Sequence, residues 1–304
     1  MRVSAGLPTG MEGLTYPIPF SDPENVIRIA QAAERFGYDS VWGNDHMTTQ
    51  NYVRAEFPVP PRFWEPLMTY AFVAAHTKTL RFGTGILVLP MRRDIVVTAK
   101  QIATLDHFSG GRLEIGVGVG AYREEFEALW PDAEVHRGDM VEEGVKALQL
   151  LFSERVASFD GKYYKFRNVE MAPKPKQKRL PIYFGGNSIN HLRRVAESAD
   201  GWIPAGMEAD RLRGLVGQLR EMTRKAGRDP KQISVAPQYI GYLGKTHEAA
   251  VQGFKASQGL AALARRYPVE RVEAACARAL QVRAYSYKSV VAILKNGLDR
   301  QALS

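Results

Sequence analysis

The stretch YDSVWGNDHM, Tyr38 to Met47, begins as an apolar strand and ends on two titratable side chains, Asp45 and His46. Histidine changes charge in the physiological pH range, so His46 at a strand end could give or take a proton. It could equally be a structural histidine, since one imidazole without a partner specifies no chemistry. Two glycine-bearing stretches could meet an anionic or flat ligand. GVGVGA, Gly116 to Ala121, matches the relaxed dinucleotide pattern G-x-G-x-x-A between a strand and a helix. A dinucleotide fingerprint opens a sheet and is followed about 20 residues later by an acidic strand end. Here three strands come first and the helical stretch HRGDMVEEGVKALQLLF follows, so the pattern fits that fold poorly. Its glycines leave two readings: a close approach to the backbone, or a barrel wall that needs small residues. FGGNS, Phe184 to Ser188, offers either an anion seat at a helix start or a helix cap from Asn187 or Ser188. Glu65-Pro66 reads as a first-turn charge and proline rather than a catalytic acid.

These residues fall between elements that alternate regularly. Apolar runs at 3–8, 40–45, 80–89, 112–120, 181–186, 201–206 and 233–244 read as strands. Helical periodicity covers 24–36, 65–77, 94–108, 137–152, 189–199, 208–226 and 246–255. SFDGKYYKF, 158 to 166, alternates around Asp160-Gly161 and predicts an inserted hairpin. Such βα alternation builds a (β/α)8 barrel or a doubly wound sheet, and both place their site at the carboxyl ends of the strands. Asp45 and His46 lie at such an end.

Bulk properties narrow the class. With 304 residues, 45% hydrophobic and 24% charged, the chain can bury a sizeable core, and no linker divides it. Neither a signal peptide nor an apolar membrane-spanning run is evident, so a cytoplasmic protein is expected. The single cysteine, Cys276, excludes an internal disulfide and a cysteine-cluster metal site, and no metal is expected. The net charge of +9 is concentrated in the tail: residues 257–304 hold eight Lys or Arg against three acids, a net +5. That distribution does not favour nucleic acid as a partner of the body of the chain.

In order along the chain, YDSVWGNDH, EPLMTYAFVAAHTKTLRFGTGILVLPMRRD, AKQIATLDHFSGGRLEIGVGVGAYREEFEALW, RGDMVEEGVKALQLLF, DGKYYKFRNVEMAPKPKQKRLPIYFGGNS and LRRVAESADGWIP resemble one family. It is the luciferase-like monooxygenase family, and within it the oxidoreductases dependent on the deazaflavin coenzyme F-420. The resemblance covers roughly residues 1–250. It implies a (β/α)8 TIM barrel, often dimeric, that holds a flavin-type ring over the carboxyl ends of its strands and transfers hydride to or from a small-molecule substrate. By position it puts Asp45 and His46 beside the ring as catalytic residues. Gly85 and Ile86 would back the ring, in some relatives through a non-proline cis peptide. Val119 and Gly120 would border the coenzyme, and Gly185, Gly186, Asn187 and Ser188 would hold its phosphate. Arg123 would meet its acidic tail. FMN in the same pocket, serving a monooxygenase, is the alternative.

The carboxyl end departs from this pattern. YPVERVEAACARALQVRAYSYKSVVAILKNGLDRQ, Tyr267 to Gln301, resembles instead the end of an insertion-sequence transposase that works with an ATPase helper. The resemblance implies a barrel over 1–256 lacking strand eight and its helix, followed by an unrelated helical tail over 257–304. A truncated barrel with little or no activity is the corresponding expectation. Within the resembling stretch only Glu270, Glu273 and Asp299 are acidic, too few and too dispersed for the metal-holding carboxylates of strand transfer.

Overall fold

The computed structural model describes residues 2–9, 22–131, 134–237, 263, 266–282, 284 and 286–301. Among the described residues, seven strands form one parallel sheet: β1 (Ser4–Gly6), β2 (Ser40–Gly43), β3 (Arg81–Val88), β4 (Leu113–Gly118), β7 (Ile182–Gly185), β8 (Gly201–Ile203) and β9 (Ser234–Val235). They are hydrogen-bonded in that order. Strands β5 (Ala157–Asp160) and β6 (Lys165–Val169) form a separate antiparallel hairpin. The helices between sheet strands are α1 (Pro23–Arg35), α2 (Asn51–Glu56), α3 (Pro66–His76), α4 (Ile95–Phe108), α5 (Arg123–Leu129), α6 (Arg137–Ser153), α7 (Ile189–Ser198) and α8 (Ala209–Lys225). The seven expected strands and the hairpin are all present. The expected helix at 246–255 and the end of the expected strand at 233–244 lie outside the described residues.

Local chemistry explains the helix boundaries. Asp22 caps α1 by accepting from the Asn25 N–H at 2.7 Å, with Pro23 in the first turn. Val26, Ile27, Ala30 and Ala33 then bury one face. Glu65 caps α3 through the Met68 N–H at 2.7 Å and Asp94 caps α4 through Val96 and Val97. The two helices α2 and α5, of six and seven residues, were not anticipated, because two turns or fewer show no clear period.

The sheet interior follows a rule that is visible only in three dimensions. A large side chain on one strand fills the space over a glycine on another, either the neighbouring strand or one beyond it. A Cβ at Gly83 would stand 2.6 Å from the Trp42 ring, one at Gly201 2.2 Å from Tyr183, and one at Gly116 2.5 Å from Ile203 Cδ1. Ile86 is shared: it would meet a Cβ at Gly118 at 2.9 Å and at Gly185 at 2.4 Å. The glycines of GVGVGA therefore serve the small-residue reading at Gly116 and Gly118. Around the sheet, fully buried Phe82, Ile102, Leu113, Ile115, Phe184 and Trp202 belong to one continuous core. Each such side chain contributes roughly 1.5–3 kcal/mol of burial.

Near the carboxyl end, α9 (Val269–Gln281) and α10 (Tyr287–Lys295) pack on each other around a second core of Leu263, Val272, Ala275, Ala279, Val290, Ile293 and Leu294. Arg271 closes this unit, pairing with both oxygens of the buried Asp299 at 2.7 and 2.9 Å. Among the described residues no helix is long and apolar enough to cross a membrane.

Candidate active site

Because all seven strands run parallel, the residues that follow them share one rim. The register brings Gly43 beside Thr84, Val88 beside Gly118, Val117 beside Phe184, and Gly185 beside Ile203. His46 three residues after β2, Gly85 and Ile86 within β3, Val119 and Gly120 after β4, and Gly186 to Ser188 after β7 thus stand at the same end of the sheet.

Asp45 and His46 part company despite being adjacent. The Asp45 carboxylate has no exposed side-chain surface; one oxygen accepts from the Val88 N–H at 2.8 Å and the other from Arg92 Nη2 at 3.0 Å. Burial pushes this carboxyl up, against the opposing pull of the Arg92 guanidinium and the Val88 N–H. Arg92 also reaches the partly exposed Glu65 at 2.8 Å, so an ion-pair chain ties the ends of β2 and β3 to the start of α3. His46 faces the other way. Its ring lies 5.3 Å from that of Phe63 and 5.9 Å from that of Tyr122, and Tyr122 lies 5.5 Å from Tyr52. Its Nδ1 is 3.1 and 3.2 Å from the two oxygens of Glu125 and 2.7 Å from Gln50 Nε2. Glu125 and Gln50 are 2% and 1% exposed, so this contact is made in a dry environment.

A second feature of the rim is built around Ile86. β3 and β4 shift register between Thr84 and Leu87, a bulge in which the Gly85–Ile86 peptide is cis. Ile86 packs over Gly118 and Gly185 and keeps one part-exposed face at the rim. After β7, Gly186 adopts φ 131°, a conformation that favours glycine, and a Cβ there would stand 2.7 Å from the His191 ring. Trp202 Nε1 fixes the corner by donating to the Gly186 carbonyl at 2.7 Å. Ser188 sits at the α7 N-cap position, yet its hydroxyl bonds His191 Nδ1 at 2.6 Å and caps nothing. Asn187 exchanges two hydrogen bonds with the backbone of Ala205 at 2.6 and 3.0 Å. The cap reading of FGGNS is therefore not what the side chains do: the His191 and Leu192 N–H groups go to the Ser188 carbonyl, and no side chain caps the first turn of α7. Burial, and then Arg194, push the His191 ring down from the ordinary histidine range.

Arg123 lies out in solvent, 79% exposed, and pairs with Glu127 at 2.6 Å. Arg137, which sequence reasoning passed over, donates to the carbonyls of Val119 and Gly120 at 3.2 Å each. It opens α6 directly beside the end of β4. Glu125 and Gln50 were passed over as well.

A family model described as luciferase-like monooxygenase matches residues 1–295. The chain belongs to that family. An uncharacterized protein of Mycobacterium tuberculosis is 30% identical over 233 residues, covering 73% of this chain and 79% of that one. The F420-dependent glucose-6-phosphate dehydrogenase of Gordonia bronchialis is 28% identical over 218 residues, covering 70% of this chain and 62% of the enzyme. Among solved structures, an F420-dependent secondary alcohol dehydrogenase with an F420-acetone adduct aligns with a TM-score of 0.66 at 23% identity, over 78% of this chain and 68% of that one. A type II Baeyer-Villiger monooxygenase component of Pseudomonas putida in complex with FMN aligns at 0.61 and 21%, over 77% and 66%. These structural likenesses show the fold: an α/β fold on a curled parallel sheet, a half-barrel that matches the barrels of these proteins. Oxidoreductases and monooxygenases populate the family, and the chain is an enzyme of this kind.

Proposed function

We propose that this chain transfers a hydride between coenzyme F-420 and a small organic substrate, with His46 handling the accompanying proton. The observation that carries the reading is the composition of one rim: a histidine backed by a buried carboxylate, facing the rim on which Ile86 stands and an uncapped helix start. A flat ring with a phosphate fits this donor set. Ile86 would back the ring, Gly186 to Ser188 and the first turn of α7 would take the phosphate, and Val119, Gly120 and Arg137 would border the coenzyme's acidic side. The coenzyme supplies a carbon hydride centre that activates oxygen poorly. Phe63, Tyr122 and Tyr52 shield His46 from water and offer apolar faces to a substrate. Asp45 acts as a positioning residue, holding the loop after β2 through Val88 and Arg92. Support for the deazaflavin over FMN comes from the named relative dependent on it. A screen of alcohols, enones and nitroaromatics with each coenzyme, read by bleaching or recovery of ring absorbance, tests the proposal. Turnover with FMN and oxygen alone would replace it with the monooxygenase reading.

One observation favours a second reading, a barrel of reduced activity. Among the described residues β1 pairs only with β2 and β9 only with β8, so the sheet ends at both. We propose that the family's last strand and helix are replaced here by the transposase-like tail from about residue 257. The separate hydrophobic core of α9 and α10 supports this, whereas the family match running to residue 295 weighs against it.

A further inference from the structure

We propose that Glu125, assisted by Gln50, is a positioning residue that fixes the tautomer of His46, holding a proton on Nδ1 so that Nε2 presents a lone pair to the substrate side. This inference rests on the reading of His46 as the proton-handling group and concerns what makes it fit for that task.

Two groups, the Glu125 carboxylate and the Gln50 amide, meet at Nδ1, and hydrogen-bond inventory decides between two arrangements. In the first, Nδ1 is bare and accepts from Gln50 Nε2 at 2.7 Å, which leaves a nitrogen lone pair facing two carboxylate oxygens at 3.1 and 3.2 Å. That juxtaposition is repulsive. In the second, Nδ1 carries hydrogen and donates to Glu125, a charge-assisted bond roughly twice as strong as a neutral one. With Nδ1 protonated, the 2.7 Å approach of Gln50 Nε2 carries no hydrogen bond, and the amide turns its two hydrogens to Glu125 Oε1 at 2.8 Å and the Thr48 carbonyl at 3.4 Å. Turning the amide over would set its oxygen against Glu125 at the same 2.8 Å. Gln50 thereby orients the carboxylate, and the carboxylate orients the ring. The low exposure of Glu125 and Gln50, 2% and 1%, keeps water from offering Nδ1 a competing partner. Nε2, on the far edge of the ring, makes no hydrogen bond among the described residues. A proton held on one ring nitrogen by a buried carboxylate is the arrangement that leaves the other nitrogen as a base.

The test uses the full chain labelled with ¹⁵N in histidine and assigns His46 by the signal lost in His46→Gln. Long-range ¹H–¹⁵N correlation of the unaltered protein, without coenzyme, is expected to show His46 as the Nδ1–H form. This measurement needs no variant to fold. In Glu125→Gln the spectrum should move to a mixture or to the Nε2–H form. Turnover should then fall about 100-fold or more while KM changes little, within the range of general acid–base contributions. Glu125→Asp should restore part of both. A bare Nδ1 in the unaltered chain, or a tautomer unmoved by Glu125→Gln, would overturn the proposal. The two claims separate cleanly: an Nδ1–H form lost in Glu125→Gln, with undiminished turnover in His46→Ala, would uphold the positioning contact and sink the proton role of His46.

Discussion

At the scale of single residues, adjacent positions can hold opposite roles. Asp45 and His46 share a strand end, and the sequence offers both as titratable groups; which one faces the rim is set by Val88 and Arg92, a distance along the chain that no local pattern reveals. The buried Asp45–Arg92 pair predicts asymmetric mutational costs. Arg92→Met should cost about 3–5 kcal/mol in denaturant unfolding, because it strands a buried carboxylate. The double variant Asp45→Asn with Arg92→Met should recover part of that loss. For His46→Ala, turnover should drop by about 100-fold or more while coenzyme affinity stays within a few-fold, as measured by steady-state kinetics beside an equilibrium titration. A matched loss in both would assign His46 to binding. Glu125 escaped notice in the sequence because Glu124 and Glu125 are indistinguishable until the helix phase is known.

At the scale of elements, hydrophobic runs and caps made strands and long helices readable, whereas the reason for each glycine was not. Gly185 is small because Ile86, 99 residues earlier, occupies the space its Cβ would need, at 2.4 Å from Cγ2. Gly185→Ala should therefore destabilise by about 1–3 kcal/mol through overpacking. Combining it with Ile86→Ala should cost less than the sum of the single changes, a coupling that a double-mutant cycle in urea would read. Helices α6 and α7 are joined by Glu142, which accepts from Arg193 at 2.9 Å and Lys146 at 3.1 Å. Partial burial opposes ionisation, yet the hydrogen bonds from Arg193 and Lys146 outweigh it and hold the carboxyl down at about 2. A depressed carboxyl stabilises the fold fully above its unfolded value of 4.5, and this contribution fades as pH falls towards about 2. The stability gap between the unaltered chain and Glu142→Gln should thus be constant near neutral pH, shrink below about pH 4.5, and close near pH 2. Because Glu142 is partly solvated, the neutral-pH gap should be of order 1 kcal/mol or less. A gap independent of pH would show that the charge is irrelevant.

At the scale of the whole molecule, the parallel sheet and the rim at its strands' carboxyl ends were legible from strand alternation and from where polar residues gathered. A separate helical tail was expected only from its resemblance to a transposase end, because apolar spacing reads alike whether a tail closes the barrel or packs on itself. With separate cores, Asp299→Asn should loosen amide hydrogen exchange across α9 and α10 and leave β3 and β4 unchanged. Parallel loss in both would make the tail part of the barrel's cooperative unit. The central claim is that the rim, tail and all, receives a deazaflavin. Equilibrium titration of the full chain with coenzyme F-420 and, separately, with FMN tests it most directly, followed at the ring bands of about 420 and about 450 nm. The account predicts F-420 binding with a Kd of about 1 μM or tighter and FMN binding at least about tenfold weaker. FMN bound as tightly as F-420, or neither bound at all, would contradict it.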